Sequence, residues 1–185
     1  MKTIRVHAFG DPSVLKLEDV PTPEPGSGEL LIQTQAIGVN PVDTYIRAGK
    51  YGDRPFPYTP GTDAAGIVEK VGTGVTAFKP KDRVYIYGSL SGAYAEKILC
   101  QSANVHSLPD SVSFEEGAAI GVPYATAYFG LVNRGQAKKG ETVLIHGASG
   151  GVGTAATQIA RHMGLTVFGT AGTPEGRERI KKEGV

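Results

Sequence analysis

The chain has 185 residues, enough for one large domain or two small ones with a real core. Its 19 basic and 18 acidic side chains leave a net charge of +1 with no charged block, which argues against nucleic acid or an acidic surface as the main partner. The single cysteine, Cys100, excludes an intrachain disulfide framework and a multi-cysteine zinc site, and points to a reducing compartment.

The start, MKTIRVHAFGD, lacks the apolar stretch of a signal peptide, and no apolar run is long enough to span a bilayer. We therefore expect a soluble, cytoplasmic protein with no membrane partner. Residues 1 to about 110 read as short strands broken by turns. Ile4, Val6 and Ala8 alternate with Arg5 and His7, and Leu15 and Leu17 alternate with Lys16 and Glu18. The connector PTPEPGSGE leads into the strand LLIQTQAI, and DAAGIVEKVG, DRVYIYG and SGAYAEKIL continue the pattern. Strands at this spacing predict a closed or sandwiched all-β unit.

After about residue 112 the pattern changes. Ser113 followed by Glu116 is a capping-box signature, opening two short helices interrupted near Gly121-Val122-Pro123. Thr142–His146 is a buried-type strand, and a helix begins near Gly151. On it Val152, Ala155, Ala156, Ile159, Ala160 and Met163 share one face. A second β-rich run covers Leu165–Thr170, then Arg177–Glu183 has helical composition with Gly184 as its stop. Strand, loop, helix, strand, helix is the first half of a doubly wound α/β domain. Such a unit cannot cover both faces of its sheet alone, so we expect the chain to be cut short or docked on something absent.

Between the first of these strands and its helix lies VLIHGASGGVG, residues 143–153. Gly147-Ala148-Ser149-Gly150-Gly151 fits the elbow that carries a hydrolase's serine nucleophile. That chemistry needs an acid and then a histidine later in the chain. Only His162 follows, on the adjoining helix, with no acid between. Glycines at both 150 and 153 instead suit a turn whose backbone approaches a dinucleotide pyrophosphate, with Ser149, Gly150, Gly151, Val152 and Gly153 facing the phosphates. The cradle is the better reading.

An NAD site places an acid about 20 positions on, against the ribose 2′-hydroxyl. Here Gly169–Thr173, with Gly172 at its centre, holds no acid, and Arg177 follows Glu175. A small, acid-free pocket beside an arginine suits a 2′-phosphate, so the cofactor expected is NADPH. Arg177 as a solvated helix charge is the alternative.

The stretch GETVLIHGASGGVGTAATQIAR, with GVNPVDTYIRAG, PYTPGTDAAGIVEKVG and AAIGVPYATAY, resembles the zeta-crystallin-type quinone oxidoreductases of the medium-chain dehydrogenase/reductase superfamily. The resemblance implies a GroES-like β-barrel catalytic domain at 1–117, then an incomplete Rossmann domain at 118–185, with the active site in the cleft between them. It also implies family chains that continue well past Val185 and are homo-oligomeric at full length. Zinc-dependent relatives carry a cysteine at the position of Asn40 and Gly-His-Glu where this chain has Gly61-Thr62-Asp63. Neither Asn nor Thr suits zinc, so the resemblance implies hydride transfer from NADPH to a quinone without metal. An enone or alkenal reductase, or a non-catalytic NADPH-binding or structural protein, is the alternative.

Matching positions suggest that Tyr45's hydroxyl bonds the cofactor or the reduced oxygen and that Asn40 orients the carboxamide or substrate. Asn40-Pro41 as a turn, with Tyr45 packing a helix end, is the competing reading. Thr126 lies near the nicotinamide or merely packs. Asp63 reads as structural, bonded to nearby backbone. His7, His106 and His146 read as surface or satisfied core histidines, and Cys100 as a small buried hydrophobe. Tyr51 and Tyr58 flank prolines in a loop that covers an apolar quinone or simply packs. Lys81 stands where the superfamily commonly has glycine.

Overall fold

A computed structural model describes all of residues 1–185, which divide into two units, Met1–Gly121 and Val122–Val185. In the first, β1 (Lys2–Val6) pairs antiparallel with β2 (Leu15–Asp19). Next come β3 (Glu29–Ile37), α1 (Pro41–Arg47), β4 (Asp63–Val71), β5 (Arg83–Tyr87), β6 (Lys97–Gln101) and β7 (Val105–Ser107). Their strands form one antiparallel sheet in the order β6-β3-β4-β5-β7. Alternate residues supply its core: Leu30 and Ile32 from β3, Val84 and Ile86 from β5, Ile98 and Cys100 from β6. Spacing by two puts these side chains on one face of the sheet, and each contributes about 1.5–3 kcal/mol on burial; the alternating Leu17 of β2, by contrast, is exposed. The short helix α2 (Phe114–Ala118) carries Ala118 into a smaller cluster with Ala65 and Leu108. Its capping box forms as expected: Ser113 Oγ accepts from the Glu116 N–H, and Glu116 Oε2 accepts from the Ser113 N–H.

Two readings of this unit need correction. The run SGAYAEKIL is a strand only from Lys97, because Ala93 and Tyr94 give their N–H groups to the carbonyls of Gly61 and Pro60 instead of a ladder. In β1 the buried residues are Thr3 and Val6, not the alternating Ile4, Val6 and Ala8. Thr3 bridges Ala95 and Val6 bridges Tyr58, and these contacts set the inward positions.

The second unit starts within α3 (Gly121–Tyr128), which a π-helical turn continues over Phe129–Arg134. Then follow β8 (Thr142–Ile145), α4 (Gly151–His162), β9 (Thr166–Gly169) and α5 (Pro174–Lys182). β8 and β9 are parallel, with Val143 opposite Val167 and Leu144 opposite Phe168. Ile145 and Val167 pack on Ala155, Ala156 and Ala160 of α4. On the other face Leu144 and Phe168 are each 58% exposed, so the two-stranded sheet is covered on one side only. Val152 does not join the buried face of α4; it is exposed, and Gly153 and Thr157 take the inward places at helical spacing with Ala160. No helix is long and apolar enough to cross a membrane.

Candidate active site

The glycine turn is built by β8 ending against β9. Ala148 N–H donates to the Thr170 carbonyl (2.9 Å), and Gly147 N–H to Thr170 Oγ1 (3.2 Å). Gly147 has φ +65°, and Gly150 N–H closes the turn on the Gly147 carbonyl at 3.0 Å. The four glycines then differ in why each lacks a side chain. A Cβ on Gly153 would sit 2.2 Å from the Gly147 carbonyl oxygen and 2.6 Å from Ala148 Cα, so the helix packs on the turn there only without one. A Cβ on Gly151 would meet nothing nearer than Pro123 at 3.8 Å, and one on Gly150 only the Gly147 carbonyl oxygen at 3.4 Å. Gly172, beyond β9, faces open space. α4 starts on Gly150 with no side-chain cap, which leaves the N–H groups of Gly151, Val152 and Gly153 without intrahelical acceptors. Small residues therefore leave room around unsatisfied donors at the positive end of a helix dipole, a place suited to an anion.

Ser149 is half-buried in this turn, its hydroxyl pointing toward Gly176 of α5, where a Cβ would meet it at 3.0 Å. No base attends it. His146 Nδ1 contacts Thr170 Oγ1 at 3.2 Å, and His162 stands at the far end of α4, roughly 16 Å along the axis. Arg177 is exposed on α5, one turn after the Thr173 cap that accepts from the Gly176 N–H (3.0 Å), and forms no ion pair. Thr126 is exposed on α3, one turn after Pro123, the neighbour of Gly151.

In the first unit, Asn40 caps α1 and is buried. Its Nδ2 donates to Asp63 Oδ2 at 2.8 Å and its backbone N–H to Asp43 Oδ2 at 2.9 Å. Tyr94 Oη donates to the same Asp43 oxygen at 3.2 Å. Burial, reinforced by the Asp43 charge, holds the Tyr94 phenol well above its ordinary range, so it stays a donor. Tyr45, one turn further along α1, is 44% exposed. Its ring lies nearly parallel to that of Tyr51, centroids 6.4 Å apart, with Lys50 Nζ 5.8 Å from the Tyr45 centroid. Tyr58 is half-buried under the Arg54 guanidinium, 4.4 Å from its ring centroid. Three residues of this machinery escape the sequence reading: Asp43, Tyr94 and Thr170. Only Asp43 had a local signal, as the acid three residues after a capping Asn.

Residues 26–110 match the alcohol dehydrogenase GroES-like domain family. Along its full length the chain is 52% identical to a quinone oxidoreductase of Pongo abelii, of which it spans 56%. Its fold superposes on the mycobacterial protein Rv1454c in complex with NADPH, with a TM-score of 0.91 and 40% identity, covering 100% of this chain and 57% of that one. For the Escherichia coli quinone oxidoreductase in complex with NADPH the TM-score is 0.89 at 37% identity, covering 99% and 56%. With a GroES-like domain followed by a parallel βαβα unit that carries a glycine turn, the chain belongs to the medium-chain dehydrogenase/reductase superfamily. Within it, the relatives matched along essentially the entire chain include quinone oxidoreductases, of which it spans 56%, and the human synaptic vesicle membrane protein VAT-1 homolog, 40% identical, of which it spans 48%.

Proposed function

We propose that this chain carries the catalytic domain, at 1–117, and the first part of the nucleotide-binding domain, at 118–185, of an NADPH-dependent quinone reductase that works without zinc. The observation that carries the reading is the space at Gly150 and Gly151 before an uncapped helix. Nothing in the protein needs those two positions bare, whereas a pyrophosphate does. The N–H groups of 151–153 and the Ser149 hydroxyl hold it, and Gly172 leaves room for the adenosine ribose. The acid-free segment after β9 offers no carboxylate to a 2′-hydroxyl, and Arg177, which is in no ion pair, pairs with a 2′-phosphate. Two structures of similar proteins are NADPH complexes, which supports the same choice here.

When bound, NADPH supplies the hydride that, with one proton, takes a quinone to its hydroquinone. Tyr45 bonds the reduced oxygen or the cofactor, Asn40 orients the carboxamide or the substrate, and Thr126 stands near the nicotinamide. A zinc ion finds no ligand in Asn40, whose amide nitrogen is already engaged as a donor to Asp63. The test is the loss of NADPH absorbance on adding a soluble ortho-quinone to the purified protein. Turnover with NADPH, weaker turnover with NADH and no effect of a zinc chelator are expected. Turnover abolished by the chelator, or equal with both nucleotides, contradicts the proposal.

A further inference from the structure

A cavity of about 570 Å³ opens in the Met1–Gly121 unit, between β1, the 54–62 loop and the 88–92 loop. That volume is in the range of small-molecule sites and far exceeds an inorganic oxyanion. Ile46, Pro55, Pro60 and Leu90 give it an apolar wall, while Arg5 and Arg54 bring two guanidinium groups to it. Neither arginine is in an ion pair. The one carboxylate in the lining is Asp43, whose Oδ2 already accepts from Asn40 and Tyr94.

The polar groups of this wall are also under-used. Arg5 gives one Nη to the Pro57 carbonyl (3.1 Å), but its Nε is buried without a hydrogen-bond partner, and so is the Ser89 hydroxyl. Buried donors left unmet cost stability, and both residues belong to the lining of this cavity, where two guanidinium groups face one carboxylate. A guanidinium presents a planar fork that matches a carboxylate or sulfonate, and Arg54 is steadied against the Tyr58 ring.

We propose that this cavity binds a small planar organic anion, an aromatic carboxylate or sulfonate, with its charge on Arg5 and Arg54 and its ring against the apolar wall. The site stands on the first unit alone and does not depend on the nucleotide cradle, so either proposal can fail without the other.

The test is calorimetric titration of the 185-residue chain with 2-naphthalenesulfonate and with its uncharged isostere 2-naphthalenesulfonamide. One charge-assisted hydrogen bond corresponds to at least about tenfold in affinity, so the sulfonate binds at least about tenfold tighter at low salt. Arg54→Gln, on an exposed loop, and Arg5→Gln each bring the sulfonate toward the sulfonamide without weakening the sulfonamide. Equal affinity of the two probes for the wild-type chain overturns the proposal. So does no binding of the sulfonate, or a sulfonate preference that survives Arg54→Gln undiminished.

Discussion

Asn40 gives its side-chain N–H to the buried carboxylate of Asp63 across 2.8 Å and its backbone N–H to the buried carboxylate of Asp43 across 2.9 Å. One residue thus answers two acids at the start of the helix that carries Tyr45. Asn40→Ala keeps the backbone bond and deletes the side-chain one. A hydrogen bond to a charged group is worth about 1.5–3 kcal/mol, and the urea midpoint of the first unit is expected to fall accordingly. A midpoint unchanged by Asn40→Ala contradicts a structural role for the pair.

The glycine turn separates packing from binding. Gly153→Ala drives a Cβ into the Gly147 carbonyl oxygen and α4 off the 147–148 turn, with an expected loss of several kcal/mol or failure of the second unit to fold. Gly151→Ala meets only ordinary contact and replaces glycine in a helix, so stability holds or rises by up to about 1 kcal/mol. Thermal melts of the two variants by circular dichroism distinguish them.

Lys81 adopts φ +80° between β4 and β5, its N–H bonded to the Val68 carbonyl at 2.8 Å. A left-handed backbone costs a side-chain-bearing residue about 1–2 kcal/mol, so Lys81→Gly is expected to stabilise the chain by about 1 kcal/mol once glycine's extra unfolded-state entropy is set against it. An unchanged or lower melting temperature counts against that conformation.

Cys100 is buried in the sheet core, and burial pushes its thiol up to about 12. A thiol with a raised folded pKa contributes stability that is fully present below its unfolded value, near pH 9, and lost as pH rises toward 12. Native chain is therefore expected to resist Ellman's reagent at neutral pH and to react only on unfolding. Stability should also fall less steeply above pH 9 in Cys100→Ala. Rapid labelling of the native protein contradicts the burial.

What could be read beforehand was what is local in sequence. The runs LLIQTQAI and DRVYIYG announce their strands, Ser113 with Glu116 announces a cap, and the glycines of 147–153 announce a turn between strand and helix. Thr170 anchors that turn from 23 residues away, and Tyr94 reaches Asp43 across 51, pairings that no window of sequence contains. Val152 reads as part of the apolar face because it is apolar; the inward positions go to Gly153 and Thr157, since the helix closes on the 147–148 turn where Gly153 allows it. Asp63 reads as bonded to nearby backbone, and nothing local announces that its Oδ2 accepts from the side chain of Asn40, 23 residues earlier at the start of the preceding helix. The strand expected over 91–96 failed for a similar reason: the 60–61 loop captures its N–H groups.

The central claim is that residues 147–153 cradle the phosphates of NADPH, and the most direct measurement is a fluorescence titration of wild-type and Gly151→Ala chains with NADPH and NADH. The wild-type chain is expected to bind NADPH at least about tenfold tighter than NADH, the difference of a charge-assisted hydrogen bond to the 2′-phosphate. Gly151→Ala is expected to lose that binding with its melting temperature intact. NADPH binding that is indifferent to Gly151→Ala contradicts the cradle.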